Sequence, residues 1–178
     1  MWKKLSSETL LSNRWVAVTK ERVQLPNGLI IDDFYKVRVS DAAAVVALTE
    51  DNQIILKREF RYCYGKELIE LPSGIFEAYE SDPLVVAKRE LSEETGYASD
   101  DWTYLGGMIE NSAKLTNTIH LFLARNCREV TEQHLDRTEE ITVIRMQLKE
   151  AVEMVMDNRI CCSCTAQGVL KVARYYGL

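Results

Sequence analysis

The chain has 178 residues, of which 47% are apolar and 28% are charged, and its formal net charge is -5. This composition is typical of one soluble globular domain with a small appendage. The negative charge, without a Lys/Arg block, argues against a nucleic-acid-binding surface. No apolar stretch approaches the ~20 residues of a membrane helix, and residues 1–15 lack the apolar core of a signal peptide. We therefore expect a cytoplasmic protein that binds neither nucleic acid nor membranes.

The first half of the chain reads as β structure. Asn27-Gly28 lies between two β-rich runs and is a strong hairpin signal, and Asp51-Asn52 separates a second pair of runs. The run AAAVVAL is apolar without alternation, which suits a strand buried on both faces. Strands are predicted over residues 15–25, 29–39, 42–50, 53–62 and 67–74.

A central helix is predicted to begin at the Ser81-Asp82-Pro83 segment, which supplies a cap residue and then a proline at the first helical position. Gly96 is a suitable stop for this helix. Many strands, one central helix and two amphipathic terminal helices predict an α+β sandwich around a mixed sheet. The remaining strands are predicted over 102–109, 118–126 and 141–148, and the terminal helices over 149–159 and 165–178.

The run KRELSEETGY inside the central helix concentrates acidic side chains. Residues three and four apart share a helix face, so Glu90, Glu93 and Glu94 crowd one turn, and Arg89 reaches Glu93. Like charges at this spacing cost roughly 0.2–0.5 kcal/mol per exposed pair. Hard divalent cations such as Mg²⁺ take oxygen ligands. The pattern therefore favours a cation site, with a solvated acidic helix face as the alternative.

Residues 74–97 resemble the signature of the Nudix hydrolases, G-x5-E-x7-R-E-U-x-E-E-x-G-U, in which U is a bulky apolar residue. One departure is that eight residues, not seven, separate Glu80 from Arg89, and this insertion falls where the loop enters the helix. The ELPSG segment before the signature resembles the ELPAG segment of the ADP-ribose pyrophosphatase branch. The matching positions are Gly74, Glu80, Arg89, Glu90, Leu91, Glu93, Glu94, Gly96 and Tyr97.

The resemblance implies a Nudix-type αβα sandwich around a mixed β-sheet, with residues 1–40 as an N-terminal β-hairpin extension for dimerisation and residues 41–178 as the catalytic domain. It implies Mg²⁺-dependent hydrolysis, with Mn²⁺ as a substitute ion, of the pyrophosphate bond of ADP-ribose or a related nucleoside diphosphate sugar. The products would be a nucleoside monophosphate and a sugar phosphate. The expected partners are this small nucleotide-sugar substrate and a second copy of the chain, in a homodimer.

Two alternative functions stay open at this point. One is a Nudix-like sensor that binds a nucleotide sugar without cleaving it, and the other is a pyrophosphatase for another nucleoside diphosphate or triphosphate derivative. The loop ENSAKLTN lacks the proline that the ADP-ribose pyrophosphatase branch usually carries after the signature. The base and the sugar of the substrate are therefore not determined by the resemblance.

The resemblance also assigns roles to residues in and before the central helix. Glu90 and Glu94 bridge the metal ions, the Ser73 carbonyl adds a ligand, and Glu93 joins the metal shell or orients Arg89. Arg89 balances the acidic cluster and fixes the rotamers of the carboxylates. The predicted metal ligands are Ser73, Glu90, Glu93 and Glu94.

Residues outside the helix complete the predicted site. On the acidic loop that precedes the last predicted strand, Glu139 is favoured over Glu140 as a general base or late metal ligand, against a solvated loop as the alternative. Arg61 is favoured over Arg58 as a clamp on phosphate or ribose, against an exposed edge charge. The predicted catalytic residues are Arg89, Glu93, Glu139 and Glu140, and the predicted substrate-binding residues are Arg58, Arg61 and Gly74.

Overall fold

The computed structural model describes residues 1–178, which form eleven strands and three helices. The chain divides into two compact units, one made of Met1–Asp41 with Ile109–Thr118 and the other of Ala42–Met108 with Ile119–Leu178. None of the three helices is both long and apolar enough to cross a membrane. The strands are β1 (Lys3–Ser12), β2 (Ala17–Gln24), β3 (Ile30–Arg38), β4 (Ala42–Thr49), β5 (Gln53–Arg61), β6 (Lys66–Glu70), β7 (Ser73–Ile75), β8 (Tyr97–Ala98), β9 (Asp101–Met108), β10 (Ile119–Glu129) and β11 (Ile141–Gln147), and the helices are α1 (Pro83–Thr95), α2 (Leu148–Met156) and α3 (Ser163–Tyr175).

The first unit is an antiparallel sheet in the order β1-β2-β3. β2 and β3 form the expected hairpin, and Gly28 takes the positive φ of 87° that its turn needs. β1, which the sequence pattern does not mark, pairs with β2, so the N-terminal segment is a three-stranded sheet rather than a hairpin alone. Residues 109–118 belong to the same unit, where the Val37 amide donates to the Lys114 carbonyl at 2.8 Å.

The second unit is built on a mixed sheet whose central path runs β11-β5-β4-β10-β8. β6 pairs with β5, β7 with β4 and β9 with β10. β4 and β10 are parallel, with Ala44 beside Leu121, whereas the other pairs are antiparallel. β4 is buried along nearly its whole length, as its unbroken apolar run predicts.

Helices cover both faces of this sheet. On one face, α2 and α3 pack over a core that includes the fully buried Val46, Leu121 and Val169. On the other face, α1 packs over Val45 through side chains such as Leu91. Burying one such side chain contributes about 1.5–3 kcal/mol, so this packing holds α1 firmly against the sheet. The predicted α+β sandwich around a mixed sheet is confirmed.

α1 begins and ends where local signals place its limits. The Asp82 side chain caps the first turn, Pro83 is the first helical residue, and Gly96 ends the helix in a left-handed conformation with a φ of 77°. Because residues three and four apart share a face, the face that packs on the sheet also presents Glu90 and Glu94 to it. The buried residues of α1 are Val86, Ala87, Glu90, Leu91, Glu94 and Thr95.

Candidate functional site

Two carboxylates of α1 are buried where the helix meets the sheet. Glu90 is 8% exposed and Glu94 is 2% exposed, whereas the Glu93 side chain is 44% exposed. Burial raises the pKa of Glu90, and it raises the pKa of Glu94 to about 7. A buried carboxylate is stable as an anion only beside positive charge or hydrogen-bond donors. The partners of these two residues therefore decide what the site can do.

Arg89 hydrogen-bonds three acidic side chains of the site. Its Nε and Nη2 donate to the two Glu80 oxygens at 2.8 and 3.0 Å, and its Nη1 donates to Glu90 at 2.7 Å and to Glu93 at 3.0 Å. The hydrogen bonds from Arg89 lower the pKa of Glu80. The extra residue between Glu80 and Arg89 thus leaves them in contact, and Arg89 also hydrogen-bonds the helical carboxylates of Glu90 and Glu93.

Lys57 is a second cation of the site, and it is not among the residues predicted from the sequence. It lies on β5, is 1% exposed, and donates a hydrogen bond from Nζ to Glu94 Oε1. Its Nζ also lies 3.2 Å from Glu59 Oε2. Burial lowers the pKa of Lys57, but Glu94 and Glu59 together raise that pKa by more, so the ammonium stays charged. The available signal is the two-residue period of β5, which puts Lys57, Glu59 and Arg61 on one face.

β7 brings the backbone close to α1. It pairs with β4, and the Ser73 amide donates to Glu94 Oε2 at 2.8 Å. A Cβ on Gly74 would collide with the carboxylate of Glu90, so a larger residue here would displace that carboxylate from its present position. The structure thus brings Ser73 and Gly74 together with Glu90 and Glu94.

The two arginines expected to bind substrate lie on opposite faces of β5. Arg61 is held on the α1 face, where its Nε donates to Glu70 at 2.6 Å and its Nη1 donates to Glu59 at 2.9 Å. Glu70 is also missing from the sequence prediction, and strand pairing places it opposite Lys57. Arg58 is exposed on the other face. Arg61 therefore lies on the same face of β5 as the buried Lys57, and Arg58 does not.

The acidic loop between β10 and β11 is fastened to the end of α1. The Gln133 side chain donates to the Glu94 carbonyl at 2.6 Å, which adds a loop residue to the site that the sequence did not indicate. Within the loop, the Glu139 carboxylate accepts a hydrogen bond from the Asp136 amide at 3.0 Å. Glu139, the favoured loop carboxylate, thus stabilises the conformation of its own loop.

A cavity of about 310 Å³ opens between this loop and β5. Its lining combines a phenyl ring, one cation and two carboxylates, a mixture suited to a polar ligand with an apolar part. Of the two loop carboxylates expected to act in catalysis, Glu140 lines the cavity. The lining residues are Glu59, Phe60, Arg137, Thr138 and Glu140.

The donor set around α1 fits a hard divalent cation by its chemistry. Glu90 and Glu94 offer carboxylate oxygens that burial leaves in need of positive charge, and Ser73 can add a backbone carbonyl. No group of three His, Cys, Asp or Glu side chains converges on one metal-binding point in this structure. Lys57 and Arg89 lie beside these carboxylates and supply positive charge there.

Two family models match the chain. Residues 39–160 match the NUDIX domain, and residues 2–37 match the nucleoside diphosphate sugar hydrolase N-terminal domain. The chain is 33% identical over 159 residues to the methanol dehydrogenase activator of Bacillus methanolicus, which covers 89% of this chain and 85% of that protein. It is 29% identical over 168 residues to the ADP-ribose pyrophosphatase of Bacillus subtilis (strain 168), which covers 94% of this chain and 90% of that protein.

A solved structure shares the fold. The crystal structure of an ADP compounds hydrolase aligns with a TM-score of 0.83 over 98% of this chain and 93% of that chain, at 20% sequence identity. This similarity confirms the predicted Nudix-type fold. Because the domain match spans more than half of the residues and the signature lies on the helix that forms the acidic site, the chain belongs to the Nudix family.

Proposed function

We propose that this chain hydrolyses the pyrophosphate bond of ADP-ribose or a related nucleoside diphosphate sugar with Mg²⁺, and releases a nucleoside monophosphate and a sugar phosphate. The observation that carries the proposal is the buried pair Glu90 and Glu94, packed against Ser73-Gly74 and flanked by two cations. The Bacillus subtilis relative is named an ADP-ribose pyrophosphatase. The match of the first unit to a nucleoside diphosphate sugar hydrolase domain supports the same substrate class.

In this proposal, Glu90, Glu94 and the Ser73 carbonyl hold Mg²⁺, or Mn²⁺ in its place, and Glu93 completes the ligand set. When bound, a divalent ion supplies positive charge that stabilises the charge developing on the phosphate oxygens and activates water. Arg89 keeps Glu90 and Glu93 in position through its Nη1. It thereby acts on the ion through the ligands that it orients.

The cavity beside the acidic loop is where we place the carboxylate that activates water. Glu140 lines this cavity, whereas the Glu139 carboxylate is engaged within the loop, so Glu140 is our candidate general base. Arg61 is our candidate for binding phosphate or ribose, because it lies on the α1 face with its side chain partly exposed. To do so, it exchanges one of its bonds to Glu59 or Glu70 for the substrate.

We also infer that the chain acts as a homodimer in the cytoplasm. β1 is an edge strand exposed along its whole length, and such strands readily pair with another chain. Its side chains include the exposed Leu5 and Leu11. The exposed thiols of Cys63 and Cys161 are free, as in a reducing compartment. Light scattering should give a dimer for the wild type and a monomer for a double Leu5→Glu, Leu11→Glu variant.

A substrate panel with Mg²⁺ tests the reaction, with the released monophosphate identified by mass spectrometry. The panel contains ADP-ribose, ADP-glucose, GDP-mannose, UDP-glucose, dinucleoside polyphosphates and nucleoside triphosphates. We expect cleavage of ADP-ribose or another nucleoside diphosphate sugar, with turnover abolished by EDTA and restored by Mg²⁺ or Mn²⁺. Tight binding of a nucleotide sugar without any product would indicate a binding module instead. Cleavage of triphosphates alone would contradict the proposed substrate class.

A further inference from the structure

The Lys57 ammonium is buried within the acidic side of the site. Buried lysines are rare unless they are paired, and Lys57 pairs with Glu94 Oε1. The other Glu94 oxygen accepts from the Ser73 amide at 2.8 Å. Both oxygens of Glu94 therefore have donors within the chain itself.

The cation that pairs with Glu94 is more deeply buried than the cation that pairs with Glu90. The side chains of Lys57 and Glu94 are 2% and 3% exposed, whereas those of Arg89 and Glu90 are 20% and 10% exposed. Attraction between opposite charges strengthens as water is excluded. The Lys57–Glu94 pair is therefore harder to separate than the Arg89–Glu90 pair, and an ion that approaches Glu94 meets the stronger competitor.

We propose that Lys57 competes with the divalent ion for Glu94. Its ammonium donates to Glu94 Oε1, so an ion that uses Glu94 as a ligand has to share that carboxylate with Lys57 or displace Lys57 from it. This inference rests on the proposed function, in which Glu94 is a metal ligand, and it makes Lys57 a positioning residue that sets the affinity for the ion. It follows that the positive charge of Lys57 weakens the binding of the ion at Glu94.

Mn²⁺ binding, followed by the electron paramagnetic resonance signal of the free ion, tests the competition directly. Lys57→Met keeps a long side chain and removes the charge, and we expect its dissociation constant for Mn²⁺ to fall about 10-fold. Lys88→Met is the matched control, because Lys88 is exposed on α1 and its loss changes the net charge equally. An unchanged or raised constant in Lys57→Met, or equal tightening in both variants, would overturn the proposal.

Thermal unfolding adds a readout that does not involve turnover. With EDTA, Lys57→Met should unfold at a lower temperature than the wild type, because Glu94 has lost its buried partner. With Mn²⁺, the variant should gain more in Tm than the wild type gains. Equal gains in the two proteins would contradict competition at Glu94.

Nuclear magnetic resonance of the wild type keeps the inference testable if Lys57→Met fails to fold. The ammonium signal of Lys57 should be protected from solvent exchange, and it should shift or disappear as Mg²⁺ saturates the protein. A Lys57 signal that stays unchanged at saturation would overturn the inference. None of these measurements depends on hydrolysis. A failure of the proposed function would appear as no product from any nucleotide sugar, and it is therefore distinguishable from a failure of the inference about Lys57.

Discussion

Arg89 and Glu80 form a two-point ion pair, although eight residues separate them where the signature has seven. The chain turns just before this stretch, where the Glu80 amide donates to the Glu77 carbonyl at 3.0 Å. Two N–H···O bonds to one carboxylate fix both the position and the plane of a guanidinium group. The pair therefore holds Arg89 where it reaches Glu90 and Glu93.

Replacing Glu80 by Gln should loosen Arg89 and, through it, the helical carboxylates. We expect hydrolysis to fall about 10-fold and the free energy of unfolding to fall by about 1–3 kcal/mol, because a charged hydrogen-bonded pair is lost. Kinetics and urea unfolding at neutral pH measure the two effects. Glu77→Gln, which removes an exposed charge from the same loop, is the control and should leave both values near those of the wild type.

The contribution of Glu80 to stability should depend on pH with a definite sign. Hydrogen bonds from Arg89 lower the pKa of Glu80 below the value of 4.5 expected for the unfolded chain. The stabilisation is therefore present above that value and is lost as the pH falls through the folded pKa. The difference in unfolding free energy between wild type and Glu80→Gln should shrink on acidification, and a constant difference would contradict this account.

Glu90→Gln and Glu94→Gln should each lower kcat by about 100-fold or more, because the bound ion would lose its charged ligand. Glu94→Gln should also lower Tm more than Glu90→Gln, because the buried Lys57 would lose the nearer of its two carboxylate partners. Circular dichroism checks that both variants are folded. Glu153→Gln on exposed α2 surface is the control, and near-normal turnover in both site variants would refute the metal roles.

Gly74→Ala should abolish most activity, because the added Cβ would displace the Glu90 carboxylate from the position of a metal ligand. Ser73→Ala should be tolerated, since Ser73 contacts Glu94 through its backbone amide, which the change retains. Mn²⁺ affinity and kcat of the two variants give the comparison. Equal losses of kcat and Mn²⁺ affinity in the two variants would contradict the view that the site depends on the backbone of β7 and not on the Ser73 side chain.

The two loop carboxylates should behave differently on substitution. Glu140→Gln should reduce kcat by about 100-fold with little change in Tm, as expected when a general base is lost. Glu139→Ala should lower Tm and change kcat less, because it removes the carboxylate that accepts from the Asp136 amide. Steady-state kinetics and thermal unfolding of both variants separate these roles. The reverse order of kcat effects would restore Glu139 as the base.

Cys127 should resist alkylation where other cysteines react. Burial raises the pKa of its thiol to about 12, whereas Cys63 and Cys161 are exposed. Iodoacetamide at mildly alkaline pH should therefore label Cys63 and Cys161 first, as mass spectrometry can show. Because the unfolded chain ionises this thiol near 9, its burial should lower stability as the pH rises above that value.

Local signals were enough for elements whose ends depend on nearby residues. Asp82-Pro83 and Gly96 mark the limits of α1, and Asn27-Gly28 marks the turn of the β2–β3 hairpin. β1 was not predictable in this way, because KKLSSETLLS has few β-branched or aromatic residues and is exposed throughout. Its pairing with β2 is a tertiary contact, which the pattern of its own residues does not encode.

In the candidate site, too, some contacts follow from the local sequence and others depend on the tertiary fold. The contact of Arg89 with Glu93 follows from helical spacing. Lys57 and Glu94 are 37 positions apart, and their contact depends on how α1 sits over β5. The different placement of Glu139 and Glu140 depends on hydrogen bonds inside the loop, so adjacent acidic residues with the same local sequence signal reach different surroundings.

Residues 109–118 lie between β9 and β10 in the sequence but belong to the first unit, and this affects how the chain can be truncated. A version that starts at residue 42 would keep this segment but delete the strand whose Val37 amide meets the Lys114 carbonyl. Leu115, the β-bridge partner of Val37, would then lose this contact and lie exposed in the connection between β9 and β10. Isolating the part that carries α1 therefore requires two cuts, one before β4 and one that replaces the connector with a tight turn.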